Sequence, residues 1–167
     1  MSETAQQYIE RIHRTLGDRD PVESMRQMMA EVQSMQAHLS NPRFVTAPER
    51  KWSGPEILSH LAEGELVYAW RLRTILADSG TNIPGYDQNV WVENSKYLQK
   101  LPALSLELFL TLRKANLALL GSLPPKQWNA FGIHSERGRE SVTDLTKMMA
   151  GHDINHLKQL QAIVAEF

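Results

Sequence analysis

Two histidines, His152 and His156, stand four residues apart in a segment whose apolar residues recur at helical spacing. The apolar residues of this stripe are Val142, Leu145, Met149, Leu160 and Ile163. Steps of three and four residues place both histidines in positions that the helix otherwise gives to its core. A buried imidazole needs a hydrogen-bond acceptor or a metal ion, because burial without a partner costs free energy. Side chains at i and i+4 project from one face, so the pair suits two ligands of one divalent ion.

The best candidate for a third ligand is His60. It lies about two turns inside a second long amphipathic segment, beside the core positions Leu58 and Leu61. Neighbouring helices of a bundle bring such positions together. Gly64, one turn further on, leaves space beside a metal where a larger side chain would fill it. On the spacing alone, the alternative of core histidines satisfied by hydrogen bonds stays open.

Other polar residues of these segments are expected to have other roles. His13 and His38 lie on polar or terminal stretches and are expected to be exposed. His134 lies in the loop before the last helix and reaches the site only if that loop folds over it. Glu63 and Glu65 flank Gly64 and are expected to be solvated rather than to coordinate a metal.

The letters HDINH, residues 152–156, have the outline of the zinc-protease motif HExxH, with Asp153 in place of the glutamate base. Aspartate is one methylene shorter and does not place its carboxylate equivalently. Few residues follow His156, so a further ligand helix is not expected. We therefore disfavour a protease site and expect Asp153 and Asn155 to face the flank of the bundle, against a neighbour or solvent.

The segments that must position these histidines are predicted to be helical almost throughout. The long helices are expected from Pro21 to Leu39, from Ser53 to Ala77, from Leu104 to Leu120, and from Ser141 nearly to Phe167. Capping residues precede three of them, in the stretches DPVE, SGPE and SVTD. A short entry helix ends at Gly17, and a shorter helix is expected over residues 87–99 within a long crossover.

Residues 41–51 and 122–140 are expected to be loops, and no segment alternates long enough to predict a strand. The predicted fold is therefore all-α, a four-helix bundle with a long crossover connection. Its 167 residues are most simply one domain, 1–167, in which residues 1–19 form an N-terminal helical extension.

The composition excludes several classes of function. Lys and Arg total 18 against 19 Asp and Glu, without a basic run, so neither nucleic acid nor a membrane surface is an expected partner. Cysteine is absent, which removes disulfides, thiolate zinc sites and a cysteine nucleophile. The charged N-terminus, MSETAQQYIERIHR, lacks the apolar core of a signal peptide, and no apolar run has the length of a membrane span. A cytoplasmic protein is expected.

Three stretches together resemble the DinB-like (DinB/YfiT) superfamily: KWSGPEILSHLAEGE, IPGYDQNVWVE and HSERGRESVTDLTKMMAGHDINHLKQL. The resemblance covers roughly residues 20–165. It implies a four-helix bundle with a long crossover, often a homodimer, and a metal site built from one histidine of the second helix and two of a terminal HxxxH. On this chain those ligands are His60, His152 and His156. The expected cofactor is a divalent ion, with zinc and nickel favoured because three imidazoles suit both.

Three imidazoles leave open positions on a metal ion, which is typical of catalytic rather than structural sites. The resembled superfamily includes enzymes that use low-molecular-weight thiols and metal-dependent hydrolases. We expect a metal-dependent enzyme of the thiol S-transferase type, acting on a small electrophilic substrate with a thiol brought by a cosubstrate. The alternatives are a metal-dependent hydrolase and a non-catalytic, stress-related interaction bundle whose metal is structural.

No residue stands out as a general acid or base, so the catalytic residues are not assigned from the sequence. Four residues of the crossover are candidates for lining a pocket over the metal: Tyr86, Asp87, Gln88 and Trp91. The favoured interpretation is structural, with Trp91 packing the crossover onto the bundle and Asp87 capping a short helix. The other tryptophans, Trp52, Trp70 and Trp128, are expected to be packing residues.

Overall fold

The computed structural model describes residues 3–46, 51–96 and 101–166. Its α-helices are α1 (Ala5–Leu16), α2 (Pro21–Ser34), α3 (Pro42–Val45), α4 (Gly54–Ala77), α5 (Gln88–Asn94), α6 (Pro102–Ser122) and α7 (Val142–Val164). Two short 3-10 helices, Met35–His38 and Pro125–Asn129, follow α2 and α6. The three strands are β1 (Asn82–Ile83), β2 (Phe131–His134) and β3 (Gly138–Ser141).

The starts of three long helices follow from their capping residues. The Asp20 carboxylate accepts a hydrogen bond from the Glu23 backbone N–H at 2.8 Å, with a proline at the first helical position. Ser53 opens α4 and Ser141 opens α7 with capping boxes, in which each hydroxyl and the carboxylate three residues later satisfy backbone N–H groups in both directions. These caps confirm the predicted starts.

Helices α2, α4, α6 and α7 form the four-helix bundle, as the sequence predicts. α4 and α2 each pack against both α6 and α7. The core between them divides into two clusters of buried apolar residues. One is centred on Met25, Tyr68, Leu72, Ile75 and Leu145, and the other on Met28, Phe44, Leu58, Phe109 and Leu160. The polar site described below is enclosed by the same helices.

Helix α1 packs along α7 and thereby covers the histidine segment. The contact depends on Gly151, since a Cβ atom there would clash with the backbone carbonyl of Ile12. Ile12 itself is buried. Gly151 therefore allows the N-terminal helix to approach α7 closely.

The connections contain more structure than the sequence predicts. β2 pairs antiparallel with β3 and parallel with β1, which joins the α4–α6 crossover to the α6–α7 connection. The prediction of no strands is wrong here, because strands of two to four residues are too short for alternation to show. Within the expected loop 41–51, residues 42–45 form α3. Of the helix expected over 87–99, residues 88–94 are helical and 97–99 lie outside the described residues.

None of the helices in the described part of the chain combines the length and apolar content needed to cross a membrane.

Candidate metal centre

His60 of α4 and His152 and His156 of α7 meet in the interior of the bundle. Their ring centroids lie 4.5–5.0 Å from one another. One nitrogen of each ring lies within 4.8 Å of a nitrogen of the other two. His60 is 2% exposed and His156 8%, while the side chain of His152 is 15% exposed. The structure thus brings together all three of the histidines selected from the sequence, and within the described ranges no carboxylate joins the cluster.

The nitrogens of His60 and His152 face each other. Their Nε2 atoms are 2.9 Å apart, which is somewhat closer than the spacing of about 3.3 Å that two nitrogens adopt on one tetrahedral zinc ion. For this pair the difference is a few tenths of an ångström. His156 directs Nδ1 to the side-chain carbonyl of Gln159 at 2.8 Å. Because that carbonyl only accepts, Nδ1 carries the proton and Nε2 is left with a free lone pair.

Electrostatics keep two of the three rings ready to bind a cation. Burial lowers the pKa of His60 to about 2 and that of His156 to about 3, and the neighbouring His152 contributes to both shifts. Both rings are therefore neutral near pH 7, so no proton has to leave them before a metal binds. An all-imidazole donor set with free ring nitrogens fits a divalent ion of the zinc or nickel type.

Trp52 forms one wall of the cluster. Its ring lies 4.9 Å from that of His60 and is stacked within 11° of parallel with His156 at 6.1 Å. Trp52 directly precedes Ser53, the N-cap of α4. Its indole therefore lies beside the first half of α4, where His60 is, and also contacts His156 of α7. The sequence interpretation of Trp52 as a packing residue is correct, but the packing surface is the histidine cluster itself.

A buried charge network lies directly behind the cluster. Asp153 and Arg113 are both 0% exposed, and Arg113 Nη2 forms ion pairs of 2.7 Å with Asp153 Oδ2 and with Glu65 Oε2. Asn116 donates a further hydrogen bond of 2.8 Å to Glu65 Oε1. The expectation that Asp153 faces the flank and that Glu65 is solvated is therefore wrong. Both carboxylates point inward because they share ion pairs with one buried guanidinium on α6.

This network reaches the cluster through one contact. His152 Nδ1 lies 3.7 Å from Asp153 Oδ1, and both atoms are buried without a hydrogen-bond partner among the described residues. His152 thus has Nε2 towards the other histidines and Nδ1 towards a carboxylate. A carboxylate behind a ligating imidazole is the usual outer partner that fixes its tautomer and orientation.

Two cavities open beside the histidines. The first, called the Arg71 cavity, has a volume of about 460 Å³ and is lined by residues that include Gly64, Arg71, Tyr86, Arg137 and Met149. The second, called the Trp52 cavity, has a volume of about 550 Å³ and is lined by residues that include Lys51, Trp52, Asn155, His156 and Gln159. Tyr8, Gln88 and His152 line both. The two cavities therefore meet at His152, under a cover formed by α1 and the start of α5.

The remaining candidates occupy varied positions. Gln88 and Tyr86 line cavities, whereas Asp87 caps α5 by accepting hydrogen bonds from the backbone N–H groups of residues 89 and 90. Trp91 packs on the Tyr86 ring at 4.8 Å, consistent with a structural role. His134 is buried at the end of β2, outside the cluster, and its Nδ1 accepts from two backbone N–H groups of the hairpin turn.

The other tryptophans and histidines lie away from the centre. Trp128 packs against the core as expected, whereas Trp70 is an exposed residue of α4. His13 and His38 are partly buried rather than exposed. None of these four side chains lines either cavity.

The fold and site define a helical-bundle protein with a histidine-only candidate metal centre between two of its helices. The chain belongs to the DinB superfamily, whose family model matches residues 4–160. This membership confirms the resemblance to the DinB-like superfamily, which implies His60, His152 and His156 as the metal ligands.

Relatives and a solved structure show what the chain is similar to. It is 27% identical over 113 residues to "Putative metal-dependent hydrolase OB0782" of Oceanobacillus iheyensis, covering 67% of this chain and 64% of that protein. It is 24% identical over 117 residues to OB0413 of the same organism, which bears the same description, covering 70% and 66%. The matches thus span just under two thirds of the length of either relative.

The fold is similar to that of YfiT from Bacillus subtilis, described as a probable metal-dependent hydrolase with an unusual four-helix bundle topology. The TM-score is 0.79 over 99% of this chain and 90% of that one, at 17% identity. At this identity the likeness establishes the fold alone. In this chain the histidine cluster is the donor set suited to a divalent metal ion.

Proposed function

We propose that this chain is a metal-dependent hydrolase in which His60, His152 and His156 hold one Zn²⁺ or Ni²⁺ ion beside a substrate cavity. The observation that carries the proposal is the position of the cluster, because three imidazoles converge where the Arg71 and Trp52 cavities meet. When bound, a divalent ion supplies Lewis acidity and makes a water or a thiol nucleophilic near neutral pH. The descriptions of the relatives support hydrolysis as the reaction class.

The chain's own residues have separable tasks in this proposal. The three histidines bind the ion, Gln159 orients His156, and Trp52 shields two of the rings from water. His152 lines both cavities. Substrate would therefore reach the metal centre on the side of His152. No carboxylate belongs to the described cluster, so the nucleophile's proton passes to solvent or to the leaving group.

The second candidate is a thiol S-transferase, and the pair of cavities favours it. A transferase must hold a thiol and an electrophile at the same centre, and two cavities of similar size meet at His152. Because the chain contains no cysteine, the thiol is brought by a cosubstrate. In this reaction the thiolate sulfur forms a bond to the electrophilic carbon, the leaving group departs with the bonding electrons, and the thiol proton goes to solvent.

Metal analysis and turnover test these candidates together. The protein purified from metal-replete cells should contain about one divalent ion per chain, and His152→Ala and His156→Ala should lose it. His38→Ala is the matched control, since His38 is a histidine outside the cluster. The metal-loaded protein should hydrolyse p-nitrophenyl acetate faster than the metal-free protein if it is a hydrolase. It should couple glutathione to 1-chloro-2,4-dinitrobenzene, with release of chloride, if it is a transferase.

A structural metal gives a different result in the same experiment. Chelation would then lower the melting temperature while neither reaction depends on the ion, and the alternative of a non-catalytic interaction bundle would be correct. A chain that binds no zinc or nickel would contradict all of these functions.

The cytoplasmic location and the homodimer remain predictions. Sedimentation of the metal-loaded chain at micromolar concentration measures the second directly, with twice the mass of the 19.0 kDa chain expected.

A further inference from the structure

Arg71 is a buried cation with few partners. Its side chain lies in the Arg71 cavity at the far end of α4 from His60, and the residue is only 6% exposed. Nη2 donates one hydrogen bond of 2.8 Å to the Pro84 carbonyl, Nε is buried without a partner, and Nη1 makes no hydrogen bond to a described residue. Among those residues no carboxylate lies within ion-pair distance of this guanidinium, although buried arginines are nearly always paired.

The nearest carboxylates do not pair with Arg71: Glu136 lines the same cavity and its charge raises the pKa of Arg71, but it forms no ion pair with the guanidinium. Arg137 also lines the cavity, but its guanidinium is held by Glu140 at 2.6 and 2.9 Å. That carboxylate is therefore already engaged. Burial and then the positive charge of Arg137 lower the pKa of Arg71. The Arg71 guanidinium, 5.8 Å from the centre of the Tyr86 ring, thus lies in surroundings that an anionic group would stabilise.

The cavity connects this cation to the candidate metal centre. His60, Gly64 and Arg71 follow one another on α4 at steps of four and seven residues, which keeps them on one face of the helix. Eleven residues of helix separate His60 from Arg71, a distance of about 16 Å along the axis. The wall between them is largely apolar and comprises Gly64, Val67, Leu145, Met148 and Met149.

We propose that Arg71, with the Tyr86 side chain beside it, binds the carboxylate or phosphate end of an elongated substrate whose reacting bond lies at the histidine cluster. This inference rests on the proposed function and adds a substrate class to it: small molecules with an apolar middle and an anionic end. Arg71 could also have a purely structural role, because its bond to the Pro84 carbonyl ties the crossover to α4. That role accounts for one N–H group of the guanidinium and leaves the others without an acceptor among the described residues.

Binding of small anions to the full chain tests the subsite. The probes are glutarate, its neutral diamide glutaramide, and inorganic phosphate, titrated calorimetrically into the metal-free and the zinc-loaded protein. We expect glutarate or phosphate to bind the metal-free protein, which removes direct coordination to zinc as an explanation, and glutaramide to bind at least about tenfold more weakly. Binding of phosphate without glutarate would assign the end group as a phosphate, and the reverse would assign a carboxylate.

The variants separate a binding role from a charge effect. Arg71→Met should weaken anion binding by about tenfold or more, and Arg71→Lys should weaken it less because it keeps the charge and loses the fork of donors. Arg139→Met is the matched control, since Arg139 is an exposed residue of β3 whose guanidinium lies over the Phe131 ring and which does not line the cavity. It should leave the affinity unchanged. If Arg71→Met does not fold, Arg71→Lys gives the same comparison.

Two results would overturn the subsite. One is equal anion binding by the wild-type protein and both Arg71 variants, and the other is no anion binding by the metal-free wild type. Metal content of the same samples reports on the proposed function independently. A protein that binds anions through Arg71 but no metal contradicts the function and keeps the subsite, whereas a metal-loaded, active protein with no Arg71 dependence contradicts the subsite alone.

Discussion

His152 Nδ1 and Asp153 Oδ1 lie 3.7 Å apart in the interior of the bundle, and neither atom has a hydrogen-bond partner among the described residues. A small rotation of the imidazole converts this approach into an N–H···O bond that fixes Nε2 as the metal-binding nitrogen. We expect Asp153→Asn to weaken zinc binding by about tenfold or more, measured by competition with a chromogenic chelator. Arg113 attracts the amide oxygen of the new side chain, so the amide NH₂ turns towards His152 and opposes the required tautomer.

Glu65→Gln is the control for this prediction. It removes one negative charge from the other side of Arg113, at the 2.7 Å ion pair, without touching His152. Both variants should lower the melting temperature, because each leaves a buried guanidinium short of one negatively charged partner. Only Asp153→Asn should lower the affinity for zinc. Equal losses of affinity in the two variants would mean that the network supports the fold and does not position His152.

The stability of the metal-free protein should depend on pH through His60 and His156. Burial lowers their pKa to about 2 and about 3, against 6.5 in the unfolded chain. Below pH 6.5 the unfolded state therefore binds more protons than the folded state, and the free energy of unfolding falls as the pH falls. Each histidine contributes a slope of about 1.4 kcal/mol per pH unit once the unfolded ring is protonated.

Urea unfolding of the metal-free protein between pH 7.5 and 4.5, in the presence of a chelator, measures this slope. His156→Gln should remove one histidine's contribution from the slope of the unfolding free energy against pH, because glutamine does not titrate. Above pH 7 the stability of the wild type should be insensitive to these rings. A wild-type curve that stays flat down to pH 4.5 would show that the cluster opens to water and takes up protons without unfolding.

Much of the fold could be predicted from the sequence because its determinants are local. The caps at Asp20, Ser53 and Ser141 and the apolar stripes behind them fix where the long helices begin and which face each one buries. The histidine cluster was predictable for the same reason, since His152 and His156 replace core residues within one stripe. His60 was predictable from its place beside the core positions Leu58 and Leu61, and the DinB resemblance implied the same residue.

The parts that escaped prediction depend on partners distant in the chain. Arg113 lies in the core stripe of α6, between Phe109 and Leu117, and Glu65 lies in that of α4, between Leu61 and Leu72. An ionisable residue in a core stripe is the signal that marks the histidines, and it applies equally to Arg113 and Glu65. A stripe shows which face is buried but not what it meets, so the pairing of Glu65 and Asp153 with one guanidinium needed the packed helices.

The position of α1 should depend on Gly151, where a Cβ atom would meet the Ile12 carbonyl. Gly151→Ala should displace α1 from α7, since a backbone carbonyl cannot give way as a flexible side chain does. Because Tyr8 of α1 lines both cavities, the same displacement should open the candidate site to solvent. Faster proteolysis within residues 3–20 and a lower melting temperature would report the change.

Gly121→Ala provides the comparison for Gly151→Ala. Gly121 is also a helical glycine, but a Cβ atom there would meet nothing within 4 Å. That variant should gain about 0.5–1 kcal/mol of stability from helix propensity alone. If Gly151→Ala behaves like Gly121→Ala, then α1 is not held against α7 by this contact.

Gly64 lies beside His152 in the lining of the Arg71 cavity and should control access to this histidine from the cavity. A Cβ atom at Gly64 would lie 3.8 Å from His152 Cε1 and 3.9 Å from Met149 Cε, which is ordinary van der Waals contact. Gly64→Ala should therefore fold and bind zinc like the wild type. Gly64→Leu adds three further carbons towards the cavity and should block substrate while leaving the three ligand nitrogens free. Zinc content and p-nitrophenyl acetate hydrolysis, measured on the same samples, separate the two effects. Loss of both in Gly64→Leu would place Gly64 in the support of the metal centre, whereas loss of turnover with full zinc content would identify the Arg71 cavity as the route by which substrate reaches it.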